Sequence, residues 1–149
     1  MNIAQEITFL ENTISEMEPL IRKIIDDNKG IILRIIKFRL YNKSIDGDGN
    51  RITPEYKMST SEGKKLRGQI STRVTLRDTG KWYRSFYVVY ENGEIRVNSD
   101  SIKTGLLTEQ YGNSILDFTN QDITNIIKNI IEPEINKRIN SSKQIIIDF

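Results

Sequence analysis

Asp78-Thr79-Gly80, within VTLRDTGKWYRSF, is the tripeptide in which aspartic proteases carry a catalytic carboxylate. That chemistry needs two carboxylates about 3 Å apart sharing one proton, each on a rigid loop. One copy is half a site, and a second copy of the chain would have to supply the rest. Arg77 and Lys81 flank the tripeptide. Two cations there favour an ionised Asp78, whereas a dyad must hold a proton. No second segment of the apolar-then-Gly type follows downstream. Asp78, Thr79 and Gly80 therefore read as a structural turn: Asp accepts local backbone hydrogen bonds, Thr does so more weakly, and Gly supplies positive φ.

Two further stretches have site-like spacing. In DGDGN (residues 46–50), Asp46, Asp48 and Asn50 alternate as the first ligands of a calcium loop do. An EF-hand then wants Gly at its sixth position and Glu at its twelfth, where this chain has Arg51 and Lys57. The stretch reads as an Asp-Gly turn, and no metal or other cofactor is expected. GKKLRG lacks P-loop spacing. Around it lie Lys57, Lys64, Lys65, Arg67 and Arg73, the candidates to face a protein partner or DNA. Single-strand binders combine such cations with stacking aromatics, and Tyr56, Trp82 and Tyr83 stand nearby. Those aromatics also sit where a hairpin core would use them.

Composition narrows the choice. The 149 residues suffice for one domain with a real core. The absence of Cys removes disulfides and thiolate sites, and the absence of His removes the commonest general base and metal ligand. No apolar run approaches the roughly 18 residues of a membrane span, and the N-terminus is acidic where a signal peptide is basic. The chain reads as made in the cytosol, with no membrane partner. Charge is segregated: residues 1–29 carry −3, residues 30–90 carry +8 and residues 91–149 carry −3. A basic middle between acidic ends suits a nucleic-acid face. It suits equally a head-to-tail assembly in which one copy's basic part meets the next copy's acidic part.

The elements that must position these groups follow from periodicity. Ile3, Ile7, Leu10, Ile14, Met17, Ile21 and Ile24 form a helical stripe. Pro19 interrupts it, which predicts two helices or a kink. GIILRIIKFRLYNKS fits a helix face or one side of a strand, and leans to helix. Residues 43–73 form a long polar connection, of which 44–73 are expected to be mobile in the free subunit and ordered in an assembly. SFYVVY and EIRVNS around Asn92-Gly93 predict a type I′ hairpin over about 84–99, with a third strand at Val74–Leu76 able to lie beside it. A short helix over 101–112 ends at Gly112, and Thr119 with Asp122 forms a capping-box pattern. It opens an amphipathic helix over about 120–140, kinked at Pro133. The tail KQIIIDF reads as β-prone, hinged at Ser141-Ser142. Ile145, Ile146, Ile147 and Phe149 are candidate interface residues, on the domain's own sheet edge or a neighbour's. The expected class is α+β in a single domain, 1–149: a helical part (1–42), a basic loop (43–73), a hairpin core (74–118) and a C-terminal helix and tail (119–149).

The order of these features resembles the bacteriophage virion-morphogenesis proteins of the tail-completion and neck type, in the form found in phages of gut Bacteroidetes. The match runs over about residues 43–135: DGDGNRITPEYKMSTSEGKK, then VTLRDTGKWYRSF, a hairpin, Tyr111-Gly112 and an amphipathic helix. The positions that carry it are Gly49, Pro54, Thr60, Lys64, Leu76, Thr79, Gly80, Ser85 and Phe86. Tyr56 stands where that family often has Trp, and SILDF replaces an Arg-Pro-Phe-Leu-like segment. The resemblance implies a non-catalytic subunit of a homo-oligomeric ring of six or twelve copies at the head–tail junction or tail top. It further implies contact with neck, portal or tail proteins, non-specific contact with packaged DNA, and assembly into the virion within the host bacterial cytoplasm. The alternative class is a small basic nucleic-acid-binding module.

Overall fold

The computed structural model describes residues 2–147, with the backbone alone for Leu10, Thr13, Ile14, Ile139 and residues 141–147. The class is α+β, dominated by helix: the described residues form seven α-helices and one two-stranded antiparallel sheet. None of the described helices is long and apolar enough to cross a membrane.

Helix α1 (Ile3–Asp27) opens with a reciprocal cap: the Asn2 side chain accepts from the Gln5 backbone N–H, and the Gln5 side chain from that of Asn2, both at 2.9 Å. It runs unbroken through Pro19, so the expected division into two helices does not occur. Pro19 has no N–H to give the Ser15 carbonyl, and the stretch is exposed, so that carbonyl is open to solvent. Helix α2 (Lys29–Phe38) resolves the helix-or-strand ambiguity as helix, and it continues into a π-helical turn, Arg39–Lys43. Ile32 and Ile36, one turn apart, are wholly buried.

The stretch expected to be an extended basic loop contains a bridged turn and a helix. A bridge between Ile45 and Arg51 closes the Asp-Gly turn, Ile52 is buried, and helix α3 (Met58–Leu66) follows. Val74–Leu76 is buried but is no third strand. Its backbone groups find side chains instead of a neighbouring strand: Tyr56 Oη accepts from the N–H of Thr75 (2.9 Å) and of Leu76 (3.3 Å), and Tyr83 Oη donates to the Thr75 carbonyl.

A single turn, α4 (Lys81–Arg84), leads into the hairpin of β1 (Phe86–Glu91) and β2 (Glu94–Ser99). Val88 faces Val97 and Tyr90 faces Ile95, while Asn92 and Gly93 take the positive φ of a type I′ turn. Helix α5 (Lys103–Tyr111) stops at Gly112, whose φ is +93°. Helix α6 (Asn120–Ile126) starts on the Thr119/Asp122 capping box, with a bond in each direction. A π-helical turn, Ile127–Ile131, precedes α7 (Glu132–Ile147) and shifts the helical register just ahead of Pro133. Helix α7 carries the chain past Ser141-Ser142 to Ile147, so the expected β tail is helical up to that point. Neither serine is a breaker of the kind Pro or Gly would be. Phe149 and the side chains of Ile145, Ile146 and Ile147 lie outside the described residues.

Two apolar clusters meet along α2. One joins Ile36 and Leu40 to Ile52, Val74, Leu76, Trp82, Phe86 and Val97. The other joins Ile32 to Ile24 and Ile25 of α1 and to Ile126 and Ile130.

Candidate interaction surface

The Asp78-Thr79-Gly80 turn sits at the mouth of a cavity of about 160 Å³, walled by Tyr56, Lys64, Trp82, Lys103, Leu107 and Tyr111. Three features of the local chain hold it. Leu76, buried, takes the left-handed conformation at φ +55°, rare for a residue with a side chain, and reverses the chain into the turn. The Asp78 carbonyl accepts from Gln69 Nε2 at 2.9 Å. Gly80, at φ +83°, lets the chain enter α4, where Trp82 and Tyr83 drop into the core. Trp82 meets Phe86 edge-to-face at 4.6 Å and donates from Nε1 to Thr104 at 3.1 Å.

The Asp78 carboxylate does not cap its own turn. It is 59% exposed and lies between Arg67 (3.9 Å) and Lys103 (3.8 Å). Thr79 does serve the turn, accepting from the Lys81 N–H at 3.4 Å. No other carboxylate lines the cavity, so its residues do not include the pair that acid–base catalysis by a dyad requires. The surroundings are cationic: Lys64, Arg77, Lys81 and Lys103 all line the same cavity. Burial, and then the nearby Tyr56, push the Tyr111 hydroxyl above its ordinary range.

The five basic candidates separate. Lys57, Lys65 and Arg67 are exposed and available to a partner. Lys64 is not: its side chain is buried, Nζ donates to the Arg77 carbonyl at 2.5 Å and lies 5.0 Å over the Tyr56 ring. It ties α3 to the Asp78 turn, so its place among partner-facing residues is withdrawn. Arg73 is half-buried and donates to the Tyr41 carbonyl at 3.1 Å. Trp82 and Tyr83 are buried and Tyr56 is half-buried, so these rings do not present faces on which bases could stack.

The Asp46 turn is similarly committed. One Asp46 oxygen accepts from the N–H groups of Asp48 (3.0 Å) and Asn50 (2.9 Å), and the other from Ser114 (3.1 Å). Among the described residues no group of three or more Asp or Glu side chains is placed to hold a metal ion. Gly47 presses against the segment after α5, where an added Cβ would stand 2.4 Å from Asp117 Cβ. Burial, then Asp48, raise the Asp117 carboxyl above the usual carboxylate range.

Sequence reasoning missed the polar centre of the fold. Arg39, buried in the π-turn, donates from Nε to Asp122 (2.8 Å), from Nη1 to the Ile45 carbonyl (2.6 Å) and from Nη2 to the Asp117 carbonyl (2.5 Å). Asp122 is at once this partner and the reciprocal cap of α6, accepting from the Thr119 N–H at 3.1 Å. The signal was an arginine inside an apolar run, RIIKFRLY, with a carboxylate in a capping pattern far along the chain.

It also missed an exposed arm. Every described side chain from Asn2 to Pro19 is solvent-exposed, including Ile3 (77%), Ile7 (51%) and Phe9 (61%). Further along the same stripe Ile21 is half-buried and Ile24 buried, and Arg22 fixes that half to the hairpin through the Tyr90 carbonyl at 2.7 Å. Comparison of the chain with sequence families, with curated proteins and with solved structures gave no match.

Proposed function

We propose that the protein is a non-enzymatic structural subunit of a tailed-bacteriophage virion, a ring-forming neck or tail-completion protein acting at the head–tail junction or tail top. The observation that carries this reading is the N-terminal half of α1. It is a helix of about 25 Å whose described side chains are all solvent-exposed, the large apolar Ile3, Ile7 and Met17 among them. Burying each such side chain stabilises by about 1.5 to 3 kcal/mol, and helices left alone in water are marginal at this length. Such an arm belongs to an assembly. The resemblance around RVTLRDTGKWYRSF supplies the kind of assembly, and of the residues behind it Leu76 and Phe86 share one apolar cluster with Ile36 of α2.

In this reading the exposed Lys57, Lys65 and Arg67 face the neighbouring virion proteins or the DNA that passes them. The test is made on purified particles of a phage or prophage that encodes the chain. The protein should co-purify with intact virions, and antibody label should fall at the head–tail vertex. Its absence from particles, with tight binding to free nucleic acid, would move the function to the basic-module alternative.

A further inference from the structure

The arm's occupant can be inferred from charge and shape. From Asn2 to Pro19 the chain holds Glu6, Glu11, Glu16 and Glu18 and no Lys or Arg. At 3.6 residues per turn, Glu6, Glu11 and Glu18 flank the apolar stripe that contains Ile3, Ile7 and Met17. Two such arms would repel each other, so self-pairing of arms is disfavoured. The arm calls for an apolar ridge edged with cations.

The body offers one on the outer face of α2. Ile31, Ile35 and Phe38 share a side of that helix over about 10 Å, and Ile31 and Phe38 are 50% and 57% exposed. Exposed Arg34 flanks the ridge, and Lys43 stands with Nζ 5.9 Å over the Phe38 ring. Lys37, Arg77 and Arg84 line the adjoining groove. Not one acidic residue lies between Asp27 and Asp46. At its other end the ridge opens onto a groove floored by Ile130 and Pro133. The arm is not seated on the α2 of its own chain: every described side chain from Asn2 to Pro19 is exposed.

We propose that the acidic, apolar N-terminal half of α1 docks on the Ile31–Phe38 ridge of α2 in a second copy of the chain, with Glu6, Glu11 and Glu18 meeting Arg34 and Lys43. The contact joins two different surfaces, so each copy gives an arm and receives one. Repetition closes into a ring when the rotation allows it. This inference rests on the ring-subunit reading and names the contact that builds the ring.

The experiment is sedimentation velocity on the full chain and on two charge-reversed variants. The arm variant carries Glu6→Lys and Glu11→Lys; the ridge variant carries Arg34→Glu and Lys43→Glu. All four positions are exposed, so circular dichroism should show native folding in both. Like charges then face each other across the contact, and each variant alone should assemble roughly a hundredfold more weakly. An equimolar mixture restores both pairings in alternation and should recover the assembly. Recovery by mixing supports the docking. Assembly that is indifferent to either reversal, or lost without recovery on mixing, overturns the docking while leaving a ring built by other contacts intact. A native chain that stays monomeric at all concentrations overturns the docking and the ring reading together.

Discussion

The body of the molecule and the N-terminal half of α1 treat exposure in opposite ways. In the body, an arginine that might have lain on the surface is drawn inside and given three acceptors. In the arm, Ile3 and Ile7, residues of the type that fills the core, are left exposed. The body buries its apolar groups within the chain, whereas the described side chains of the arm stay exposed. If the arm serves the proposed assembly, substitutions should divide along the same line.

The largest loss of stability should come from Arg39→Met. It leaves the Asp122 carboxylate buried without its cation and strips the Ile45 and Asp117 carbonyls of their donor, which should cost about 3 to 5 kcal/mol. Urea denaturation measures it, and a loss below about 1 kcal/mol would show that the ion pair does not organise the body. Gly47→Ala should follow at about 1 to 3 kcal/mol, because the new methyl meets both Asp117 Cβ and the Ser114 carbonyl at 2.7 Å.

Asp117→Asn should act in the other direction and with pH. The folded state raises this carboxyl, so the fold binds its proton more tightly than the unfolded chain does. Stability is then favoured at acid pH and falls as pH rises past the ordinary carboxylate range into the raised one. Asparagine removes that loss, gaining under about 0.5 kcal/mol at neutral pH on this solvent-screened site and nothing at acid pH. A gain that persists unchanged at low pH would assign it to another cause.

Asp78→Asn, for all the attention its tripeptide draws, should shift thermal stability by less than about 0.5 kcal/mol, since both its ion pairs are long and exposed. A loss several times larger would mean that the turn depends on the charge.

This ranking shows what the sequence could and could not reveal. The hairpin, the α6 capping box and the Gly112 stop were legible because each rests on local chemistry within a few residues. The Val74–Leu76 misreading arose because an apolar β-prone triplet looks the same whether a strand or two tyrosine hydroxyls satisfy its backbone. Lys64 read as a surface cation because nothing nearby announces that the Arg77 carbonyl waits for it. The α1 stripe was legible as a helix but not as an arm. Periodicity marks an apolar face without saying whether its partner is the same molecule, and Ile3 and Ile24 belong to one unbroken pattern with opposite fates.

The central claim, that the arm serves assembly and not folding, is tested most directly by the native mass of the full chain beside that of the Ile3→Ser, Ile7→Ser variant. The account predicts a closed oligomer of fixed mass for the first. For the second it predicts a single-chain mass, with an unfolding midpoint equal to that of the native body. A native chain of single-chain mass at every concentration, or a variant that assembles as well as the original, would contradict it.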